Sequence, residues 1–152
     1  MAGYVNQALQ QGETLRITGR LHWIIYLPGV VFLAFAVAGS LALIAAPGAN
    51  HFYKLIVFAA AFAGVAQFLG ALVRQMSTEI AVTDRRVILK TGLVARHTVE
   101  MNRDKVESVD VNQDVFGRIF NYGTIVVRGT GAGLEPLSTI AAPLALRDAI
   151  AA

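Results

Sequence analysis

The sequence predicts a membrane α-helical hairpin followed by a mainly-β domain. Three observations predict it. Hydrophobic residues make up 55% of the 152 positions and charged residues 15%, against about 45–50% and 25% in ordinary soluble domains. The excess is local, because residues 1–76 hold 49 of the 84 hydrophobic residues and residues 77–152 hold 35. The first half contains two long runs without a charge, and after Met76 the pattern turns to short alternating runs separated by turn residues.

The first uncharged run covers residues 23–46, interrupted only by Pro28, Gly29, Gly39 and Ser40. A hydrocarbon core about 30 Å thick needs about 20 helical residues, so these 24 span it with some tilt. The second run, residues 55–73, is extended at one end by Phe52 and Tyr53. The chain divides accordingly into an N-terminal cytoplasmic segment (1–20), a first transmembrane helix (21–46), an external turn (47–51), a second transmembrane helix (52–74) and a cytoplasmic domain (77–152). A signal peptide is the rival reading of the first run, since Leu43-Ile44-Ala45-Ala46 offers small residues. The run is too long for a signal core of about 7–15 residues, and a polar segment precedes it. A buried hairpin in a soluble protein would need more chain to cover two such helices than remains.

Pro47-Gly48-Ala49-Asn50-His51 is a sharp turn that makes the two helices antiparallel and puts both chain ends on one side. Arg16, Arg20, Arg74, Arg85 and Arg86 flank the helices on that side, and the short loop offers only Lys54. The positive-inside rule places both termini in the cytoplasm, and Trp23, Tyr26, Phe52 and Tyr53 suit the interfacial aromatic belts. The net charge of +3 belongs to this arrangement, because residues 77–152 carry nine basic and nine acidic side chains. A nucleic-acid partner is therefore not expected.

Small residues recur at helical spacing in both helices: Ala34, Ala38 and Ala42 in the first, Ala59, Ala63, Ala66 and Gly70 in the second. Such faces let backbones approach closely, within the hairpin or between copies of it, and Gln67 can add an interhelical hydrogen bond. A transport pathway normally shows intramembrane acids or bases. The two runs contain neither.

In the domain, residues 78–83 and 86–91 form a tight hairpin across Asp84-Arg85. Residues 94–101 alternate as a half-buried strand, and 105–111 form a fourth run whose broken alternation suggests a bulge. Asp114 can cap a short helix whose apolar members, Val115, Phe116, Ile119 and Phe120, fall on one face. Strands at 124–128 and 134–140 follow, joined by the mobile Gly-rich stretch 129–133, and Pro143 opens a terminal helix over 144–150. A sandwich or small barrel is the natural outcome.

No residue set points to catalysis, a cofactor or a metal. His22, His51 and His97 are too far apart to converge on one ion. The chain has no cysteine, so disulfides, cysteine-ligated zinc and a thiol nucleophile are excluded. The glycines at 129–133 lack the Lys-Ser/Thr and long helix of a phosphate-binding loop. Arg74, Arg85 and Arg86 are the candidates for contact with anionic lipid headgroups, because the first hairpin of the domain directly follows the second helix. The bland reading of Arg85, Arg86 and Lys90 is structural, since the Asp84-Arg85 turn is too tight to cradle a headgroup and Asp84 repels phosphate.

The order Thr83-Asp84-Arg85-Arg86-Val87-Ile88, Gly92-Leu93, Val106-Glu107-Ser108-Val109, then residues 116–124 and Pro143 before Leu146-Arg147, resembles the bacterial pleckstrin-homology (PH) domains of the membrane-anchored kind. Gly12-Glu13 and His22-Trp23 resemble their amino-terminal part, and Gly117, Arg118, Tyr122 and Gly123 form the most specific element. The resemblance implies two packed antiparallel sheets closed by a C-terminal helix. Its signature hints that Arg118 fixes the turn over 114–122, and related domains form rings, so it also implies homo-oligomers.

The sequence thus points to a noncatalytic integral protein of the bacterial cytoplasmic membrane. It would present an interaction domain to an unidentified protein or to copies of itself, and contact membrane lipids. The alternatives are an anionic-lipid-sensing module and a small channel of oligomerised hairpins.

Overall fold

A computed structural model of the chain describes residues 11–46, 48, 50–92, 97–130 and 136–151. The chain divides into two compact units: Trp23–Arg74 is one, and the chain up to His22 with the chain from Gln75 onward is the other.

The described residues of the second of these, the β unit, form seven strands. They are β1 (Leu15–Gly19), β2 (Glu79–Thr83), β3 (Arg86–Thr91), β4 (His97–Asn102), β5 (Val106–Asn112), β6 (Tyr122–Gly129) and β7 (Leu137–Ala141). Two antiparallel sheets result, one ordered β1-β2-β3-β4 and the other β5-β6-β7. Two of the expected strands shift in extent, with β7 beginning at Leu137 and ending at Ala141, and β6 beginning at Tyr122. Residues 93–96 and 131–135, which include part of the expected third strand and most of the Gly-rich stretch, lie outside the described residues.

Hydrophobic alternation sets the core. Ile80 and Val82 of β2, Val87 and Leu89 of β3, Ile125 and Val127 of β6, and Leu137 and Ile140 of β7 are all buried. Ala81 and Ile88 pair in register and are buried on the opposite face of the first sheet. The terminal helix α4 (Pro143–Ala151) sets Leu146 and Ile150 against both sheets, packing on β1, β2, β5 and β6. Gly19 allows this approach, because a Cβ there would lie 3.0 Å from the Leu146 side chain and 3.1 Å from Ile80 Cβ.

The domain boundary differs from the sequence expectation. The segment before the helices is not separate from the domain over 77–152, because β1 is the edge strand paired to β2, with Gly19 opposite Ile80. Beyond Gly19 the same segment crosses to the other sheet. The Arg20 carbonyl accepts from Ala141 N–H (2.9 Å), Leu21 bridges to Ile140, and His22 N–H donates to the Thr139 carbonyl (2.7 Å). β7 carries an extra residue in its register at this point, and Thr139 sits at φ 63°, a left-handed conformation disfavoured for a β-branched residue. Ten residues therefore stitch the two sheets together.

The helical unit holds a 3₁₀ turn (Trp23–Tyr26), α1 (Leu27–Ala45) and α2 (His51–Ser77) as far as Arg74, the last three residues of α2 belonging to the β unit. Asn50 caps α2 by accepting the Tyr53 N–H (2.9 Å), so His51 is already helical rather than part of the turn. Both helices are long and apolar enough to cross a membrane. The short helix α3 (Val115–Phe120) forms where the sequence predicts it, but its apolar face points away from the core.

A fragment starting at Ser77 lacks β1 and the stitch across to β7. It is expected to give a collapsed, poorly dispersed amide NMR spectrum. Replacing Trp23–Arg74 by a flexible Gly-Ser linker of about ten residues restores a dispersed one. Independent folding of the Ser77 fragment would refute the role assigned to residues 13–22.

Candidate functional site

The tight turn between β2 and β3 is the natural place to look for a ligand-binding loop, and its side chains are already committed. Glu13, fully buried at its side chain, receives Arg86 bidentately: Nε donates to Oε1 (2.9 Å) and Nη2 to Oε2 (2.8 Å). Arg86 Nη1 donates to Glu100 Oε2 (2.7 Å) from the facing strand β4. The Thr83 hydroxyl donates to Glu13 Oε1 (2.7 Å) and accepts from the Arg86 N–H (3.0 Å). Paired, bidentate geometry is what makes a charge tolerable at such a depth. The hydrogen bond to Glu13 is the main cause raising the Arg86 pKa, against an opposing contribution from burial, so the guanidinium stays cationic.

The turn is latched again one residue on. Asp84 Oδ1 accepts the Thr14 N–H (2.9 Å) and Asp84 N–H donates to the Thr14 carbonyl (3.1 Å). Arg103 ties the turn to the terminal helix, its N–H donating to the Arg85 carbonyl (2.9 Å) and its Nε to the Ile150 carbonyl (3.2 Å). Of the three arginines named for headgroup contact, Arg86 is thus enclosed in an ion-pair cluster, whereas Arg85 is exposed at the turn. Arg74 is exposed in the last turn of α2, in the other unit. Lys90 lies 3.9 Å from Glu79. The buried partner that decides the role of Arg86 is Glu13, which lies 73 positions earlier, and no local pattern signals it.

A cleft of about 500 Å³ opens beside this turn, between the end of α4 and the start of β5. Asp84, Asp104 and Glu107 line it with Arg103, giving it an acidic balance unsuited to phosphate. Among the described residues no trio of His, Asp or Glu gathers to hold a metal.

The signature turn is built by packing. Asp114 accepts the Gly117 N–H as the cap of α3, and Asn121 ends the helix at φ 60°, ψ 48°. Gln113 Nε2 donates to the carbonyls of Gly117 (3.2 Å) and Tyr122 (2.9 Å). A Cβ on Gly117 would lie 2.6 Å from the Tyr122 carbonyl oxygen, and one on Gly123 would lie 2.7 Å from Gln113 Cγ, so both positions require glycine. Arg118 gives the turn a backbone bond to the Asp114 carbonyl (3.0 Å) while its side chain is exposed. The side chains that brace the turn are Asp114 and Gln113, and Gln113 has no counterpart in the sequence expectation. Burial, then the Asp114 carboxylate, raises the Tyr122 pKa. The Tyr122 ring lies 5.4 Å from that of His22, tilted by 34°.

A model of the bacterial PH domain matches residues 24–152, well over half of the chain. The chain belongs to the bacterial PH domain family. Comparison with curated proteins and with solved structures returns no match. PH domains are in general noncatalytic interaction modules, and the two antiparallel sheets with a capping helix are the PH-like fold expected from the sequence. In this PH domain the most specific residues of the resemblance, Gly117, Arg118, Tyr122 and Gly123, lie in the turn that leads α3 into β6, Arg118 contributing its backbone.

The small-residue faces named from the sequence lie largely outside the contact between the two helices. Ala59, Ala66, Gln67 and Gly70 are exposed on α2, with Ala63 half-buried, and Ala34, Ala38 and Ala42 are exposed on α1. The helices approach through other residues: a Cβ on Gly29 would lie 2.9 Å from Phe68 N, one on Gly64 2.9 Å from Leu33 N, and one on Gly39 2.6 Å from Val57 Cγ2. Ala36 and Ala71 are buried alongside. Gly29 on α1 and Gly64 on α2 are where the two backbones come closest.

Glu13→Gln leaves Arg86 without its main buried partner. The variant is expected to lower the opening free energy of the Ala81 and Ile88 amides in native-state hydrogen exchange by about 3 kcal/mol. Arg85→Gln, at the exposed position next to it, changes it by less than about 0.5 kcal/mol. Equal effects would remove the structural reading of Arg86.

Proposed function

We propose that this PH domain protein is a noncatalytic, membrane-anchored interaction module: the helical unit spans the bacterial cytoplasmic membrane as a hairpin, and the β unit works at its cytoplasmic face. The observation that carries the reading is where the helices are inserted. They interrupt a single domain between β1 and β2, neighbouring strands of one sheet. Chain that leaves and re-enters one folded sheet must cross any bilayer an even number of times. Two helices supply the crossings. Only 11% of the most apolar stretch of each is buried, whereas a core helix of a soluble protein is mostly buried. Arg16, Arg20 and Arg74 flank the spans on the β-unit side, which favours a cytoplasmic location.

Self-assembly is the second part of the reading. The outward stripe of Ala59, Ala66 and Gly70 with Gln67 remains available to another hairpin after the intrachain contact is made, and a glutamine facing lipid gains from a partner. Headgroup contact rests on Arg74 and Arg85, since Arg86 is held by Glu13 and Glu100.

Two measurements test this. The chain has no cysteine, so Gly48→Cys and Glu107→Cys place single thiols in the interhelical turn and in the β unit. In intact cells an impermeant maleimide is expected to label the first and spare the second. The reverse pattern, or labelling of both, rejects the topology. In native mass spectrometry from mild detergent the chain is expected to associate, and Gln67→Leu to weaken association about threefold to tenfold. A monomer at every concentration rejects self-assembly.

A further inference from the structure

Exposed large apolar side chains of the β unit concentrate on α3, where Val115, Phe116, Ile119 and Phe120 are between 45% and 71% exposed. The patch is held firmly. The Asp114 cap, the left-handed Asn121, the Gln113 brace and the close contact of Gly117 with the Tyr122 carbonyl fix the helix with its glycine inward and its apolar side chains outward. Contiguous apolar surface of this kind on a water-facing domain marks an interaction site.

The position of α3 within the β unit indicates the partner. The helix runs directly into Tyr122, whose ring rests against His22. His22 is the last residue of the β unit before the apolar helical unit begins at Trp23. The patch therefore lies at the end of the β unit where the chain departs toward the helices. Two exposed cations, Arg118 on α3 and Arg20 beside the exit, accompany it, and the Asp114 carboxylate is engaged in the cap.

We propose that α3 is a membrane-inserting wedge. Val115, Phe116, Ile119 and Phe120 enter the interfacial zone of an anionic bilayer, and Arg118 and Arg20 meet its headgroups. The proposal rests on the membrane-anchored reading and adds a third contact that fixes how the β unit faces the lipid. A bilayer fits better than a second copy of the chain. Four side chains on a six-residue helix fall well short of the roughly 800 Å² per partner of a standard protein interface, whereas an anchored domain meets its own membrane at high effective concentration.

The test uses full-length protein with one environment-sensitive NBD label at a time, reconstituted into vesicles of equal parts phosphatidylcholine and phosphatidylglycerol. Phe116→Cys reports on α3, and Ile119→Cys repeats the measurement should the first variant fold poorly. Leu41→Cys reports on the helical unit, and Glu107→Cys on the far end of β5. The label at 116 or 119 is expected to emit further to the blue and to be quenched by bilayer-borne nitroxide at least about threefold more than the label at 107. If the label at 41 is quenched by the bilayer while 116 and 119 respond like 107, the wedge is overturned and the anchor stands. If the label at 41 is not quenched, the anchor fails and the wedge with it. If 116 and 119 are shielded from both nitroxide and aqueous iodide, and self-quench as protein density rises, a second copy covers the patch and the proposal is overturned.

Discussion

The rest of the structure depends on residues 13–22. They form the outer strand of one sheet and then run along the edge of the other, so the two sheets are joined by backbone hydrogen bonds as well as by the packing of Leu146 and Ile150. Exposed sheet edges invite pairing with other chains. Here β1 covers the edge of β2 and Arg20–His22 partly covers that of β7. The β unit is thus one domain in space, written in the sequence as two pieces with a helical hairpin between them.

The Glu13–Arg86 pair belongs to the same constraint, seen from the side chains. A fully buried carboxylate is tolerable only with a cation and a further donor, and Arg86 and Thr83 supply both. The pair is a condition on pairing β1 with the correct turn, because any slip of β1 along β2 would leave Glu13 buried without Arg86. This also changes what the basic first hairpin is for. In this PH domain its most prominent arginine, Arg86, is an internal fastening, and Arg85 is the arginine of the turn that stays exposed.

Much of this was legible in the sequence because it is local. Uncharged runs of 24 and 19 residues mark the helices, Asp84-Arg85 marks the hairpin, and Asp114 marks the start of α3. What stayed hidden is non-local. Nothing near Leu15–Gly19 indicates a partner that arrives about sixty residues later, so a short alternating run looked like a tail. The same distance hides the pairing of Glu13 with Arg86. The direction of the α3 face was undetermined for another reason, since periodicity shows that Phe116 and Phe120 share a side but not whether that side meets the core. The helix faces are a similar case: small residues occur on more than one side of each helix, and only the backbone approach at Gly29 and Gly64 shows which sides meet.

The interruption of one sheet by two long apolar helices has a consequence for biogenesis. The ribosome delivers β1 first, and its partner strand exists only after both helices have been made. If a single helix crossed the bilayer, β1 and β2 would be stranded in different compartments. Glu13 could not reach Arg86, both sheets would keep raw edges, and the chain would be left as a substrate for proteolytic quality control. On the membrane-anchored reading, closure of the sandwich therefore requires that both helices have crossed the bilayer.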